Sequence, residues 1–266
     1  MGELKKRIIT GVCVAPVIAV LFYILPPVWL LALLLAIAVV AVLEAASLAG
    51  CRMKYLIAVL VIAGVVPLYF RFFQRYMLWM MASAFIIITI KVFDRRASSE
   101  DANRDLTGQT AVVLFCNFFI LIPFFYLYLL KELQALFPLI LLFSIWASDI
   151  FAYGIGKKFG KHPLAPRISP KKTVEGLMGA TLGSLIVITA SHQLLGLSVP
   201  AALGVGAATG VLGQAGDLLE SACKRVFNTK DSSQLIPGHG GILDRIDSFI
   251  FTAPFLYTCL VWTRYL

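Results

Sequence analysis

Charged residues are scarce in this chain of 266 residues. Asp, Glu, Lys and Arg together make up 14% of it, whereas 60% belongs to the hydrophobic set and the mean hydropathy is +0.89. Soluble domains usually contain about 25% charged and about 45–50% apolar residues. Because the apolar residues also fall in long blocks, the composition excludes a single soluble core and indicates an integral membrane protein.

Cysteine pairs with metal-binding spacing are absent. The chain has an odd number of cysteines and no CxxC motif, which argues against a disulfide framework and against a zinc site. We therefore expect reduced thiols that pack as small hydrophobic side chains. The five are Cys13, Cys51, Cys116, Cys223 and Cys259.

Nine apolar segments predict transmembrane helices, because a hydrocarbon core about 30 Å thick needs about 20 helical residues. The first follows a basic start and is interpreted as an uncleaved span. We expect an all-α, polytopic, single membrane domain over 1–266, with 1–135 mainly scaffold and 136–266 the catalytic half. The nine segments are 8–25, 28–48, 55–70, 77–93, 111–130, 136–156, 177–195, 199–216 and 249–265.

Basic residues are distributed unevenly between the two sides that these spans define. With the N-terminus placed inside, 19 of the 23 Lys and Arg fall in inside segments. The four outside are Arg71, Arg75, Lys131 and Arg264. This asymmetry fits the positive-inside rule and predicts a cytoplasmic N-terminus. It also places the two most polar segments, 157–176 and 217–247, on the cytoplasmic side.

The segment 217–247 has the composition of a site for a metal and phosphates. Asp217, Glu220, Ser221 and Lys224 are spaced to share one face of a helix. Further along come the paired carboxylates of Asp244 and Asp247, preceded by a glycine-rich turn. Oxygen ligands of this kind suit Mg²⁺ or Mn²⁺, and the neighbouring basic residues would neutralise polyphosphate. The alternative is a solvated loop whose charges pair with each other.

The segment 157–176 is basic and contains three prolines. Lys171 and Lys172 are candidates for a phosphate clamp, with Thr173 and Glu175 opening the next helix. The alternative interpretation is an ordinary cytoplasmic loop that touches anionic lipid headgroups.

Two acidic residues lie near the ends of apolar runs. Asp149 is a candidate metal ligand, because an ionisable group at such depth is a functional hypothesis by default. Glu44 lies similarly at the end of the second span, and we interpret it as a residue of the membrane boundary.

A family resemblance enters with residues 221–225, 230–231 and 237–247. Ser-Ala-Cys-Lys-Arg, then Lys-Asp, then Pro-Gly-His-Gly-Gly-Ile-Leu-Asp-Arg-Ile-Asp resembles the signature of the phosphatidate cytidylyltransferase (CDP-diacylglycerol synthase) family. The upstream Ser-Pro-Lys-Lys-Thr-Val-Glu-Gly at 169–176 and the nine-span layout resemble it too. The chain departs from the family pattern at Cys223, where a large apolar residue is usual.

The resemblance implies that CTP and phosphatidate give CDP-diacylglycerol and pyrophosphate with Mg²⁺, and it suggests K⁺ as a second cation. Catalytic roles would fall to Asp217, Lys224, Arg225, Asp244 and Asp247. Metal ligands would come from Asp149, Asp217, Glu220, Asp244 and Asp247. Substrate would contact Ser169, Lys171, Lys172, Thr173, Glu175, Ser221, Lys230, Asp231, His239, Gly240, Gly241 and Arg245. We do not expect His239 to act as a general base, because the attacking phosphate is already ionised.

The expected partners are therefore CTP, phosphatidate and membrane lipids, with no nucleic acid, and a homodimer is left open. The expected location is a bacterial inner membrane with the site facing the cytoplasm. Competing functions are an isoprenoid-alcohol kinase, a CDP-archaeol synthase and, from another class, a transporter. A CDP-alcohol phosphotransferase is disfavoured, because its motif needs a DG dipeptide that this chain lacks.

Overall fold

The computed structural model describes residues 16–93, 99–227, 229, 232–233 and 240–265. Within these ranges the chain forms a helical bundle with one small β-hairpin. The helices are α1 (16–24), α2 (Pro27–Leu48), α3 (Lys54–Ala63), α4 (Val65–Tyr69), α5 (Phe73–Val92), α6 (Ser99–Cys116), a π-helical turn (Asn117–Leu121), α7 (Ile122–Leu133), α8 (Phe137–Phe159), α9 (Val174–Ala190), α10 (His192–Leu195), α11 (Val199–Val226), α12 (Leu243–Ile246) and α13 (Phe249–Tyr265).

Among the described residues, five helical stretches are long and apolar enough to cross a membrane. They are Pro27–Leu48, Phe73–Val92, Leu106–Leu133, Phe137–Phe159 and Leu243–Thr263. Two shorter apolar stretches, Lys54–Tyr69 and Val174–Ala190, accompany them. The chain is thus a mainly helical membrane protein, as predicted. Helices also occupy the described part of each predicted span, while the number nine and the side of the N-terminus stay predictions.

The hairpin is the part of the fold that composition did not predict. Strand β1 (Pro163–Ala165) pairs antiparallel with β2 (Ser169–Thr173), with Pro163 opposite Thr173 and Ala165 opposite Ser169. It forms between α8 and α9, where three prolines prevent a continuous helix. Over the described residues the fold is therefore all-α apart from this two-stranded sheet.

Helix α9 packs tightly between α8 and α11 through small residues. A Cβ atom at Gly183 would lie 2.5 Å from the carbonyl oxygen of Ala147 in α8. A Cβ at Gly210 in α11 would lie 2.6 Å from the Cα of Thr181 in α9. Only glycine permits such close approaches. In lipid the hydrophobic effect does not drive helices together, so close van der Waals packing of this kind stabilises their association. The three helices consequently form a rigid support for the segments at their ends.

Polar contacts hold the ends of α1, α4 and α7 together at one end of the bundle, opposite the site described below. Lys131 donates hydrogen bonds to the carbonyl oxygens of Phe22 (2.6 Å) and Tyr23 (2.8 Å), and thereby caps the end of α1. Arg71, after α4, pairs with Glu132 at the end of α7. The sequence assigned Arg71 and Lys131 to the same, sparsely charged side, and the structure does bring them to one end.

Helix α11 is longer than its predicted apolar part. It has 28 residues, which at 1.5 Å per residue amounts to about 40 Å, more than the ~30 Å thickness of a hydrocarbon core. In the predicted arrangement the excess, about 12 Å or roughly two turns, would lie beyond the bilayer while still helical. Those turns carry Glu220, Lys224 and Arg225 of the candidate site.

Three cysteines agree with the expectation of reduced thiols, since Cys116, Cys223 and Cys259 are free. Cys51 and Cys116 are buried in the apolar core. Cys13 lies outside the described residues.

Candidate active site

The end of α11 places four polar side chains along one strip of helix, as their spacing predicted. Ser221 donates a hydrogen bond of 3.3 Å to Asp217. One turn further on, the amino group of Lys224 lies 2.5 Å from Oε2 of Glu220. Both pairs have i,i+4 spacing, the separation at which helical side chains meet. The strip thus presents two neighbouring polar pairs to the rest of the site.

Asp244 joins the second of these pairs from another helix. Its Oδ1 pairs with the amino group of Lys224. Its Oδ2 accepts hydrogen bonds from the amide of Gly241 (2.8 Å) and from the amide (3.2 Å) and hydroxyl (3.0 Å) of Ser232. Gly240 has a φ of 80°, a conformation that favours glycine. The Asp244 carboxylate therefore fixes the turn before α12.

Asp247 lies where α11 meets the start of α13. A Cβ atom at Gly216 would lie 2.2 Å from the carbonyl oxygen of Asp247, so only glycine permits this approach. The carboxylate of Asp247 accepts a 2.7 Å hydrogen bond from the amide of Ser248. It also lies within electrostatic range of three other carboxylates, those of Asp149, Asp217 and Glu220. The predicted acidic residues of α8, α11 and the turn between α12 and α13 thus converge.

The hairpin brings a lysine to the acidic strip. The amino group of Lys172 on β2 lies 2.6 Å from Oδ2 of Asp217 and donates a 3.0 Å hydrogen bond to Gln214. Lys171, its neighbour on the same strand, is exposed. The Thr173 hydroxyl accepts a 3.1 Å hydrogen bond from the amide of Gly176 and caps α9, so the prediction that Thr173 opens the next helix is confirmed.

Glu175 anchors the base of the hairpin. Its carboxylate accepts hydrogen bonds from the amides of Lys161 (3.1 Å) and His162 (3.3 Å) and lies 2.6 Å from Nδ1 of His162. The contact with the imidazole, helped by backbone amides, lowers the pKa of Glu175 to about 2. Its predicted contact with substrate stays a prediction.

Arg225 links the hairpin to the end of α11. Its guanidinium donates to the carbonyl oxygens of Ile168 (3.2 Å), which lies between the two strands, and of Thr229 (3.0 Å). Arg245 is exposed at the start of the last span. Ser169 is the first residue of β2 and pairs with Ala165 across the hairpin.

A cavity of about 480 Å³ lies between the hairpin and the helices α8, α9 and α11. This volume falls within the ~300–1,000 Å³ usual for small-molecule sites. Its chemistry is mixed, with carboxylates facing amino groups. The polar and aromatic residues that line it are Asp149, Tyr153, Lys157, Lys171, Lys172, Thr173, Gln214 and Asp217. Asp244, Glu220 and Lys224 lie beside this cavity and do not line it.

The donor chemistry fits a hard divalent cation, because the converging side chains are carboxylates. Both oxygens of Glu220 are buried without a hydrogen bond of regular geometry from a described residue. No group of three or more His, Cys, Asp and Glu has metal-binding geometry in the part of the chain that the structure describes. Lys172 lies against Asp217 and Lys224 lies against Asp244, so these amino groups compensate the charge of the two carboxylates.

The sequence matches the profile of the cytidylyltransferase family over residues 5–263. The chain belongs to this family. It is thereby a nucleotidyltransferase, in agreement with the enzyme class expected from the sequence.

The chain is similar to bacterial proteins named phosphatidate cytidylyltransferase, among them the following three. That of Bacillus subtilis (strain 168) is 48% identical over 118 residues, which is 44% of each chain. That of Staphylococcus aureus (strain COL) is 38% identical over 184 residues, or 68% of each chain. That of Staphylococcus epidermidis (strain ATCC 12228) is 36% identical over 186 residues, or 69% of each. The match to the Bacillus protein thus spans less than half of either chain.

Three of the predicted substrate-binding residues, Lys230, Asp231 and His239, lie outside the described residues. That they contact substrate stays a prediction from the sequence.

The sequence interpretation missed several residues of the site. Tyr153, Lys157 and Gln214 line the cavity but were not among the predicted site residues, and Glu44 is a further case. Glu44 of α2, interpreted as a boundary residue, is 5% exposed. Its carboxylate accepts hydrogen bonds from the hydroxyls of Ser232 and Ser233 and from the amides of Ile242 and Leu243. The one available signal was an acidic residue within an otherwise apolar helix. That signal gives no partner, because the contacting residues lie about 190 positions further along the chain.

Proposed function

We propose that this chain is a metal-dependent phosphatidate cytidylyltransferase, which converts CTP and phosphatidate into CDP-diacylglycerol and pyrophosphate. The observation that carries the proposal is the cavity in which Lys171 and Lys172 face Asp149 and Asp217 at the ends of membrane helices. Family membership supports the transfer of a cytidylyl group. The relatives that carry this enzyme's name support phosphatidate as the acceptor.

The reaction brings two anions together. A phosphate oxygen of phosphatidate would form a bond to the α-phosphorus of CTP, while the bond between the α-phosphorus and the bridging oxygen breaks and pyrophosphate leaves. The nucleophile is already ionised, so no side chain has to remove a proton. Charge neutralisation and alignment then dominate catalysis. Lys171 and Lys172 are placed to supply both to the phosphates in the cavity.

Asp217 and Asp149 would hold the divalent cation, since both line the cavity, with Asp247 beside them. When bound, Mg²⁺ or Mn²⁺ supplies Lewis-acid stabilisation of phosphate charge. Asp244 contributes differently in our proposal. Its hydrogen bonds to Gly241 and Ser232 hold the glycine turn, and its pairing with Lys224 keeps that amino group beside Glu220. We propose that the same carboxylates also bind a monovalent cation such as K⁺.

We further propose nine spans with a cytoplasmic N-terminus, in a bacterial inner membrane, and a site open to the cytoplasm. Supporting this, the C-terminal ends of α2, α8 and α11 meet the start of α9 and α12 at one end of the bundle. That end carries the basic hairpin, in accordance with the positive-inside rule. Cytoplasmic CTP would then reach the cavity directly.

Phosphatidate would arrive sideways from the inner leaflet along α8. Ile150, Tyr153 and Lys157 lie at intervals of three and four residues, so they share one face of this helix. Ile150 and Tyr153 are each 69% exposed, and Lys157 contacts Tyr153 through a 3.3 Å hydrogen bond to its hydroxyl. An order of aliphatic, aromatic and basic residues matches the passage from hydrocarbon to headgroups. Tyr153 and Lys157 also line the cavity, which connects the two surfaces.

The decisive experiment supplies purified protein with CTP labelled at the α- or the γ-phosphate. We expect the α label in lipid with phosphatidate as acceptor, and none with diacylglycerol or dolichol. Transfer of the γ label to an isoprenoid alcohol would instead show a kinase, and preference for an archaeal ether-lipid phosphate would show a CDP-archaeol synthase. Absence of labelled lipid with every acceptor would contradict the proposal.

A further inference from the structure

Glu44 reaches the candidate site from a helix that is otherwise apolar. It lies on α2, separated by almost 200 residues from the segment it contacts. Its side chain is buried, and burial of a carboxylate is unfavourable unless donors compensate it. Four donors do so here. The hydroxyl of Ser233 lies at 2.6 Å and that of Ser232 at 3.3 Å from the carboxylate.

The other two donors are backbone amides at the start of α12. Ile242 donates to Oε1 at 3.1 Å and Leu243 donates to Oε2 at 2.9 Å. Amides at the start of a helix have no partner within the helix, so an external acceptor fixes where the helix begins. α12 carries Asp244 as its second residue. Glu44 therefore determines the position from which the Asp244 side chain extends.

Glu44 and Asp244 also share a donor. The Ser232 hydroxyl lies 3.0 Å from Oδ2 of Asp244 and 3.3 Å from Oε2 of Glu44. Between them, Gly241 is confined, because a Cβ there would lie 2.0 Å from the Ser232 hydroxyl and 2.6 Å from Glu44. Two carboxylates on different helices thus hold the same turn from its two sides.

From these contacts we infer that Glu44 is a positioning residue for the reaction, acting through Asp244 and the turn at 240–243. The inference rests on the proposed function. Glu44 does not line the cavity, so its loss displaces Asp244 and the turn while leaving in place the lysines and carboxylates that line the cavity. The effect should then fall on turnover more than on substrate affinity.

The test replaces Glu44 by Gln, which keeps the shape but removes the charge and one acceptor. We expect kcat to fall at least about tenfold, while KM for CTP and for phosphatidate changes by less than about threefold. Amide exchange at Ile242 and Leu243 should accelerate. Exchange at Val174, whose amide donates to His162 in the hairpin, should stay unchanged.

Glu132→Gln is the matched control, since Glu132 is also a paired glutamate but lies at the opposite end of the bundle. It should retain the parental kcat. A folded Glu44→Gln protein with parental kcat, or with a change confined to KM, would overturn the inference. So would an equal loss in Glu132→Gln. Inactivity of the parent protein would instead count against the proposed function.

A second variant covers the case in which Glu44→Gln does not fold. Ser233→Ala removes the 2.6 Å hydrogen bond to Glu44 and leaves both carboxylates in place. We expect a smaller loss of kcat, about threefold, with the same acceleration of exchange at Ile242 and Leu243. A parental kcat and unchanged exchange in this variant would contradict the positioning role.

Discussion

The amino group of Lys172 on the hairpin lies 2.6 Å from Oδ2 of Asp217 on α11. This pair joins the basic polar segment of the chain to the acidic one, and each charge compensates the other. Phosphate oxygens would compete with Asp217 for Lys172, and a divalent cation would compete with Lys172 for Asp217. Phosphate bound to Lys172 would free Asp217 for the cation, and a cation bound to Asp217 would free Lys172 for phosphate. We therefore expect phosphate and the divalent cation to increase each other's affinity.

Neutralising the hairpin lysines should weaken the use of CTP. We expect Lys172→Gln to lower kcat/KM for CTP at least about tenfold, which corresponds to about 1.4 kcal/mol. Lys171→Gln should have a smaller effect, because Lys171 is exposed and has no described carboxylate partner at the site. Steady-state kinetics with varied CTP measure both. Lys54→Gln, which removes a charge at the start of α3, is the control, and parental kinetics in the Lys171 and Lys172 double variant would refute the clamp.

Asp217→Asn and Asp244→Asn should each abolish nearly all turnover, for different reasons. Asn at 217 removes a proposed metal ligand, so we expect weaker binding of Mn²⁺ measured by electron paramagnetic resonance. Asn at 244 removes the ion pair with Lys224 and should leave Mn²⁺ binding less affected. Excess chelator should stop the parent enzyme. Turnover at the parental rate in chelator or in Asp217→Asn would end the metal proposal.

Gly216→Ala should disrupt the contact between α11 and the last span. The new Cβ would lie 2.2 Å from the carbonyl oxygen of Asp247, so the helices must separate and Asp217 must move away from Asp247. We expect a loss of several kcal/mol of stability or a misplaced site, visible as a lower midpoint of thermal unfolding in detergent and as lower activity.

Gly204→Ala is the matched change on the same helix. Nothing lies within 4 Å of the position of its Cβ, so the substitution should be neutral or stabilise the helix by about 1 kcal/mol. Equal effects of the two alanines would show that close approach at Gly216 is unimportant.

Lys157→Gln should raise KM for phosphatidate about tenfold and leave KM for CTP nearly unchanged, if the α8 face receives the lipid phosphate. The neighbouring Lys158→Gln is the control, because Lys158 lies over Phe159 and does not line the cavity. Activity is measured in mixed micelles with varied surface concentration of lipid. An effect on CTP alone would reassign Lys157 to the nucleotide.

The anchor of the hairpin should depend on pH in a defined direction. The pKa of Glu175 is lowered from 4.5 to about 2, so its contribution is fully present above pH 4.5 and is lost as the pH falls toward 2. Glu175→Gln should accelerate amide exchange at Lys161 and His162. The difference from the parent protein should stay constant from neutral pH down to about 4.5 and shrink below that. A difference that grows with acidity would contradict this sign.

Much of the site was accessible from local spacing. Asp217, Glu220, Ser221 and Lys224 could be assigned to one helix face, because i,i+4 contacts depend only on helical periodicity. That Thr173 and Glu175 open a helix was likewise predicted from the sequence, whereas the capping hydrogen bond of Thr173 was seen only in the structure. By contrast, the β-hairpin was not predicted, since its few residues carry no alternating apolar pattern and its prolines suggested a loop.

By itself, the sequence determined that the chain is a helical membrane protein, where its apolar segments lie, and which family it belongs to. These properties depend on composition and on contiguous motifs. Tertiary structure alone decided that Lys172 faces Asp217, that Arg225 ties down the hairpin, and that Glu44 supports Asp244. Such contacts join residues from distant parts of the chain, and they form only after small residues have let α8, α9 and α11 approach closely. No local periodicity encodes which helix ends then meet.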